Sequence, residues 1–227
     1  MPGVKIAERG AFNHCLALTH VGCGKLEIIE RSAFYNCASL RSINLPSAEI
    51  VGNAAFHECI ALTDVKFSSK LERIEEVSFK NCRSLERITI PLKDGMITAD
   101  GIFTGCESLN HVNLVEGEEL HETIAALHFE EWRNDMWEEI TSIHQILPNA
   151  PAGGWDDPYG FFDGEKAQVI RRWLRFVLDK ILRYKAGHQG ILDEAASTLV
   201  LASPRDIVRN NVLPFLELPP HRFGVEM

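Results

Sequence analysis

Apolar residues return along the first half of the chain in one fixed frame. Phe12, Phe34, Phe56, Phe79 and Phe103 are each followed three residues later by Cys15, Cys37, Cys59, Cys82 and Cys106. Leu18, Leu40, Leu62, Leu85 and Leu109 come three residues after that. A β-branched residue then follows (Val21, Ile43, Val65, Ile88, Val112), and two further on an apolar one (Cys23, Leu45, Phe67, Ile90, Leu114). The frame FxxCxxLxx(V/I)xΦ recurs five times, at spacings of 22, 22, 23 and 24 residues. Register kept at five positions through five copies marks a repeat architecture.

Each position of the frame has a physical role. The alternation at its end, as in Ile43-x-Leu45, predicts a short strand with one buried face. Successive strands then stack in parallel, about 4.8 Å apart, as neighbours in a sheet. The Phe belongs to the returning segment and packs on the Phe of the next coil. The residue before it is small (Ala11, Ala33, Ala55, Ser78), as suits a tight return turn. Apolar residues five and eight before Phe, such as Leu26 with Ile29 and Leu71 with Ile74, line the opposite wall of the same core. In the fifth copy Gly95, Thr98 and Ile102 replace the usual apolar, apolar and small residues, next to an insertion at Lys93-Asp94-Gly95. That pattern predicts a degraded terminal coil. No single coil buries these side chains alone, so stability comes from stacking.

Segments such as AFYNCASLRSINLP and SFKNCRSLERITIP resemble the BspA-like class of leucine-rich repeat. The resemblance covers about residues 4–114. It implies an α/β chain: a leucine-rich-repeat solenoid of about five coils with short parallel strands, followed by a C-terminal helical region. It also implies a role in protein–protein or surface contacts. The expected divisions are a solenoid over 1–116, an acidic capping helix over 117–147, a linker over 148–163 and a helical region over 164–227.

The x positions of the strand motif face solvent, and they vary while the frame is fixed, as a partner-tuned surface would. They are Thr19, His20 and Gly22; Arg41, Ser42 and Asn44; Thr63, Asp64 and Lys66; Glu86, Arg87 and Thr89; Asn110, His111 and Asn113. The candidate partner-binding residues drawn from this row are His20, Arg41, Ser42, Asn44, Asp64, Lys66, Arg87, Thr89, His111 and Asn113. Arg41 and Arg87 are singled out because arginine is enriched at interface hot spots. A plain solvated face is the competing reading. All six cysteines fall on frame positions, which fits a ladder of buried thiols. Disulfides between stacked coils and a metal site remain alternatives, although no CxxC pair exists and a ladder is a line rather than a tetrahedron.

After Gly117 the period becomes helical. Leu120, Ile124, Leu127, Trp132, Met136, Ile140, Ile143 and Leu147 predict an amphipathic helix, kinked near Phe129, with an acidic face of Glu130, Glu131, Asp135, Glu138 and Glu139. It is expected to cap the solenoid, with Trp132 and Trp137 supplying contact area. The Pro-, Gly- and Asp-rich stretch PNAPAGGWDDPYGFFD reads as a linker. A second helix is predicted over 165–185, with basic residues outward, and a third over 192–201 after breaks at Gly187 and Gly190. The acidic and basic helices are expected to pair antiparallel, in the manner of a short coiled coil, or to self-associate with a second copy. The tail SPRDIVRNNVLPFLELPP resembles the first helix of an F-box. That resemblance implies an adaptor that recruits a substrate to a larger complex.

Net charge narrows the partner class. Residues 1–114 hold 12 basic and 13 acidic side chains, residues 115–163 hold 1 and 12, and residues 164–227 hold 10 and 7, for a total of −9. No large basic face is available to neutralise phosphates, so nucleic acid is not an expected partner. No apolar run reaches bilayer-spanning length, so a membrane is not one either. No Walker loop, GxGxxG, HExxH or GxSxG motif is present, and no cofactor, metal ligand set or catalytic residue is predicted. Met1 to Arg9 lack a signal-peptide core, which gives a cytoplasmic expectation. No polar capping repeat precedes the first coil, so a missing N-terminal cap or leader is also expected.

Overall fold

The computed structural model describes residues 3–115, 124–127, 129–152 and 165–202. The chain forms two parallel sheets, one on each wall of a solenoid. On the first wall lie four two-residue strands: β1 (Ile6–Ala7), β2 (Ile28–Ile29), β4 (Ile50–Val51) and β6 (Arg73–Ile74), in the order β1-β2-β4-β6. On the second lie four-residue strands: β3 (Ser42–Leu45), β5 (Asp64–Phe67), β7 (Arg87–Ile90) and β8 (His111–Leu114), in the order β3-β5-β7-β8. Each coil climbs from the first wall through the Phe-centred turn to the second. The predicted frame positions Ile43, Leu45, Val65, Phe67, Ile88, Ile90 and Val112 are all buried.

The Phe column stands as predicted. Ring centroids are 4.9, 5.2, 5.2 and 5.8 Å apart from Phe12 to Phe103, with interplanar angles of 3 to 17°. This stacking keeps Phe34, Phe56 and Phe79 each between two rings, and Phe103 against Phe79. Phe12, at the first coil, has only one and is half-buried.

The turn around each Phe depends on backbone that the residue types do not announce. Residues two before Phe (Gly10, Ser32, Ala54, Val77) and two after it (His14, Asn36, Glu58, Asn81, Gly105) have φ between 50 and 75°. Left-handed backbone costs a non-glycine residue about 1–2 kcal/mol. Inter-coil hydrogen bonds offset it: Phe12, Phe34, Phe56 and Phe79 each donate their N–H to the next coil's carbonyl, at 2.7–3.1 Å. Asn36, Glu58 and Asn81 do the same at 2.7, 2.9 and 2.7 Å.

All six cysteines are free thiols. Cys37, Cys59, Cys82 and Cys106 are fully buried, and each donates its S–H to the carbonyl of the Phe one coil back, at 3.2, 3.1, 3.0 and 3.0 Å. The thiol ladder therefore satisfies a carbonyl row inside the core. Burial pushes the Cys82 thiol well up, and that of Cys23 up to about 11. Cys37 is lowered, chiefly by its interaction with the neighbouring Cys59 thiol. Cys15 is exposed.

The fifth coil corrects the sequence reading. It is not stripped of its wall. Met96 and Ile97 are buried, and Ile97 pairs with Ile74. The apolar position has moved one residue earlier, and the 3₁₀ turn Asp100–Phe103 absorbs the added length.

Among the described residues two long helices follow: α1 (Glu130–Ile146) and α2 (Glu165–Ala202). Two compact units divide the chain and cut both helices, between 140 and 141 and between 175 and 176. In the unit that holds the solenoid, residues 141–152 and 165–175 close the last coil. Ile143, Leu147, Ala167, Ile170, Trp173 and Leu174 are buried there. Gly105 donates its N–H to the Ala152 carbonyl at 2.8 Å. Lys166, 1% exposed, donates its ammonium to the carbonyls of Leu109 and Glu107 at 2.6 and 3.2 Å. Asp100 accepts from Gln168 at 3.1 Å and pairs with Arg171, and Asp94 pairs with Arg175 at 2.9 Å.

The cap is thus shared by both helices. Trp132 stacks on Tyr184 in the other unit, at 4.9 Å, and Trp137 is exposed. The terminal carbonyls of the last coil need strong donors, which an ammonium supplies better than an indole.

The second unit holds the expected antiparallel pair. Asp135 and Glu139 take Lys180 at 2.9 and 3.0 Å, and the Tyr184 hydroxyl donates to Asp135. That hydroxyl and then Lys180 hold Asp135 below the usual carboxylate range. The first helix does not run on from Ile124 and Leu127, which are buried ahead of it. Arg133 takes the Leu127 carbonyl at 2.7 Å, in place of a helical amide. Leu120 lies outside the described residues, as do linker positions 153–164 and the F-box-like tail from 203.

The break expected at Gly187 and Gly190 does not occur, since α2 is continuous. Each glycine costs about 1 kcal/mol of helix propensity, which packing can override. Gly187 is required by contact: a Cβ there would meet the Trp132 ring at 2.9 Å, whereas at Gly190 it would meet nothing within 4 Å. Gly190→Ala should therefore stabilise by up to about 1 kcal/mol in urea titration. Gly187→Ala should lose at least as much, because the stacked indole must move.

Candidate partner-binding face

The second sheet assembles the predicted row. Backbone register aligns Ser42 with Asp64, Arg87 and His111 in one column, and Asn44 with Lys66, Thr89 and Asn113 in the next. These eight residues occupy alternate positions of β3, β5, β7 and β8, and every intervening residue except Leu114 is buried. Arg41 immediately precedes β3, and its backbone joins neighbouring coils. Its N–H donates to Thr19 at 3.3 Å, and its carbonyl accepts from the Thr63 amide and hydroxyl at 2.7 and 3.0 Å. The structure does not bring His20 into the sheet. The first coil contributes no strand to this wall, and the His20 ring is within 3.1 Å of the Thr19 hydroxyl.

Exposure varies along the row. Arg41, Ser42, Asn44, Lys66, Arg87 and His111 are exposed, whereas Asp64, Thr89 and Asn113 are half-buried. Lys66 and Asp64 approach to 3.7 Å, a loose surface pair that leaves both able to bind elsewhere. Arg87 is the cross-strand neighbour of Asp64. No apolar side chain stands in either column.

One neighbour was invisible to sequence reasoning. His144 of α1 lies 33 residues from His111, yet the rings are 5.2 Å apart, and His144 Nε2 donates to the Val112 carbonyl at 3.0 Å. This contact bounds the row at its last coil. No short-range pattern announces a contact between a strand and a helix so far along the chain. Among the described residues, no three His, Cys, Asp or Glu side chains are grouped to hold a metal ion. Nor is any helix among them long and apolar enough to cross a membrane.

The sequence model of the BspA type leucine-rich repeat region matches residues 4–131, in six copies. That is one copy more than the Phe-centred frames, and the match runs past Val115 into residues 116–123, which are not described. No curated protein matches. Among solved structures, a leucine-rich cell surface protein from Faecalibacterium prausnitzii A2-165 is 24% identical, with a TM-score of 0.42 over 52% of this chain and 31% of that one. The matched region therefore spans about a third of that protein's length. The leucine-rich-repeat protein of T. pallidum is 18% identical, with a TM-score of 0.23 over 50% of this chain and 82% of that one. With more than half of its length matched, five stacked coils and a continuous Phe column, this chain belongs to the BspA-type leucine-rich-repeat family.

Proposed function

We propose that the chain is a non-enzymatic interaction module, or scaffold, that binds a protein partner on the exposed face of β3, β5, β7 and β8. Leucine-rich-repeat proteins generally mediate protein–protein contacts and are typically not enzymes, which supports this reading. The observation that carries it is the double column of eight polar residues, held in strict register over a buried frame. Arg41 and Arg87 anchor the partner; Asp64 and Lys66 between them set its charge register.

Crosslinking capture from native extract, read by mass spectrometry, tests the assignment. Arg41→Ala with Arg87→Ala should reduce recovery of the bound partner at least tenfold, the scale of hot-spot loss. Retention of every recovered partner by that variant contradicts the site. Sedimentation of the same sample reports self-association through the C-terminal helices.

A further inference from the structure

The face just described has polar columns but no apolar centre, whereas stable interfaces place an apolar core inside a polar rim. The opposite wall has that arrangement. Backbone register aligns Ile6, Ile28 and Ile50 in one outward column, continued by Arg73 in the fourth coil. Ile6 is 46% exposed, and Ile28 and Ile50 are half-buried on their outer side. Lys5, Glu27, Glu49 and Glu72 run along one side of this column, and Glu8, Glu30, Gly52 and Glu75 along the other.

Some of these carboxylates are already engaged. Glu27 pairs with Lys5 at 2.7 Å, Glu72 with Lys93 at 2.8 Å and Glu75 with Arg73 at 3.1 Å. Glu30 accepts the Arg9 amide at 2.8 Å, and Glu75 the Asn53 amide at 3.1 Å. Exposed ion pairs of this kind hold little against a competing cation. Glu8 and Glu49 make no salt bridge among the described residues.

We infer that this wall is a second docking surface, independent of the first, and that its occupant is a basic amphipathic helix of a partner protein. Charge selects the sign: Glu8, Glu27, Glu30 and Glu49 flank the three isoleucines against one cation, Lys5, and Glu72 and Glu75 lie beside Arg73 beyond them, so the flanks of the partner must be cationic. Spacing selects the helix. Coils repeat about every 4.8 Å, whereas same-face residues of an extended strand are about 6.6–6.8 Å apart. One helical turn is about 5.4 Å, which keeps apolar residues near successive isoleucines. The partner helix lies along the solenoid axis with its apolar stripe on Ile6, Ile28 and Ile50.

The repeat itself supplies a variant that preserves the fold, since Arg73 already occupies this column in the fourth coil. The probe is a fluorescently labelled synthetic helical peptide with leucines in one stripe and lysines on both flanks, titrated into the full chain by anisotropy. Ile28→Ala with Ile50→Ala should weaken it about tenfold through lost apolar burial. Ile28→Arg with Ile50→Arg should weaken it further. The front-face variant Arg41→Ala with Arg87→Ala should bind it as the native chain does, so this inference and the front-face reading fail separately. Three results overturn the inference: equal affinity for a scrambled peptide that lacks the stripe, full affinity in the double alanine variant, or equal loss in the front-face variant.

Discussion

Phe56→Ala is expected to lower the free energy of unfolding by about 4 kcal/mol, within the range for aromatic truncation in a core. Phe56 is fully buried and stacks on two neighbours, Phe34 and Phe79, each with centroids 5.2 Å away. Its removal opens the column at its midpoint, and the coils on either side contact only their neighbours, so the cavity cannot close from elsewhere. Phe12→Ala is the internal control. Phe12 is half-buried and stacks on one ring only, so the same truncation should cost less than half as much. Urea titration of both variants measures the difference; equal losses would mean that the column is not continuous.

Lys166→Ala should cost about 3 kcal/mol, and Lys166→Met about half of that. The ammonium satisfies two terminal carbonyls of the last coil, and removing a donor from buried acceptors costs about 1–3 kcal/mol. Methionine keeps the stem packed and removes a buried charge, which offsets part of the loss. Burial lowers the pKa of Lys166 from the usual lysine value. Between that depressed value and the ordinary one near 10.4, the unfolded chain binds more protons at this site than the folded chain. The contribution of Lys166 to stability should therefore rise with pH through this window and be lowest below it. The difference in stability between the native chain and Lys166→Met, followed from neutral to alkaline pH, should grow; a flat difference would contradict the buried ammonium.

The parts of the fold that were legible in the sequence are those that burial makes periodic. Phe34, Cys59, Leu85 and Ile88 recur because each coil must bury the same side chains, and eight of the ten candidate site residues followed from alternation around them. What was not legible is hydrogen bonding to backbone carbonyls, which leaves no period. The S–H donors of the cysteines and the ammonium of Lys166 are of this kind. Left-handed turns carried by His14, Ala54 and Val77 lack the glycines that would mark them. Ile97 was passed over because an insertion moved it one residue out of frame. Gly187 looked like a helix break because its reason, the Trp132 ring, lies 55 residues away. The outward isoleucines of the first wall were hidden by two-residue strands, too short for alternation to show.

Stacked coils with a buried Phe column and thiol ladder are tested most directly by timed thiol modification of the native chain, with each cysteine followed by mass spectrometry. Burial and raised pKa values suppress thiolate attack, and even the lowered thiol of Cys37 is enclosed. Cys15 should react at once, and Cys23, Cys37, Cys59, Cys82 and Cys106 only as fast as the chain opens. Labelling of Cys59 and Cys82 at the rate of Cys15 would contradict the stacked solenoid.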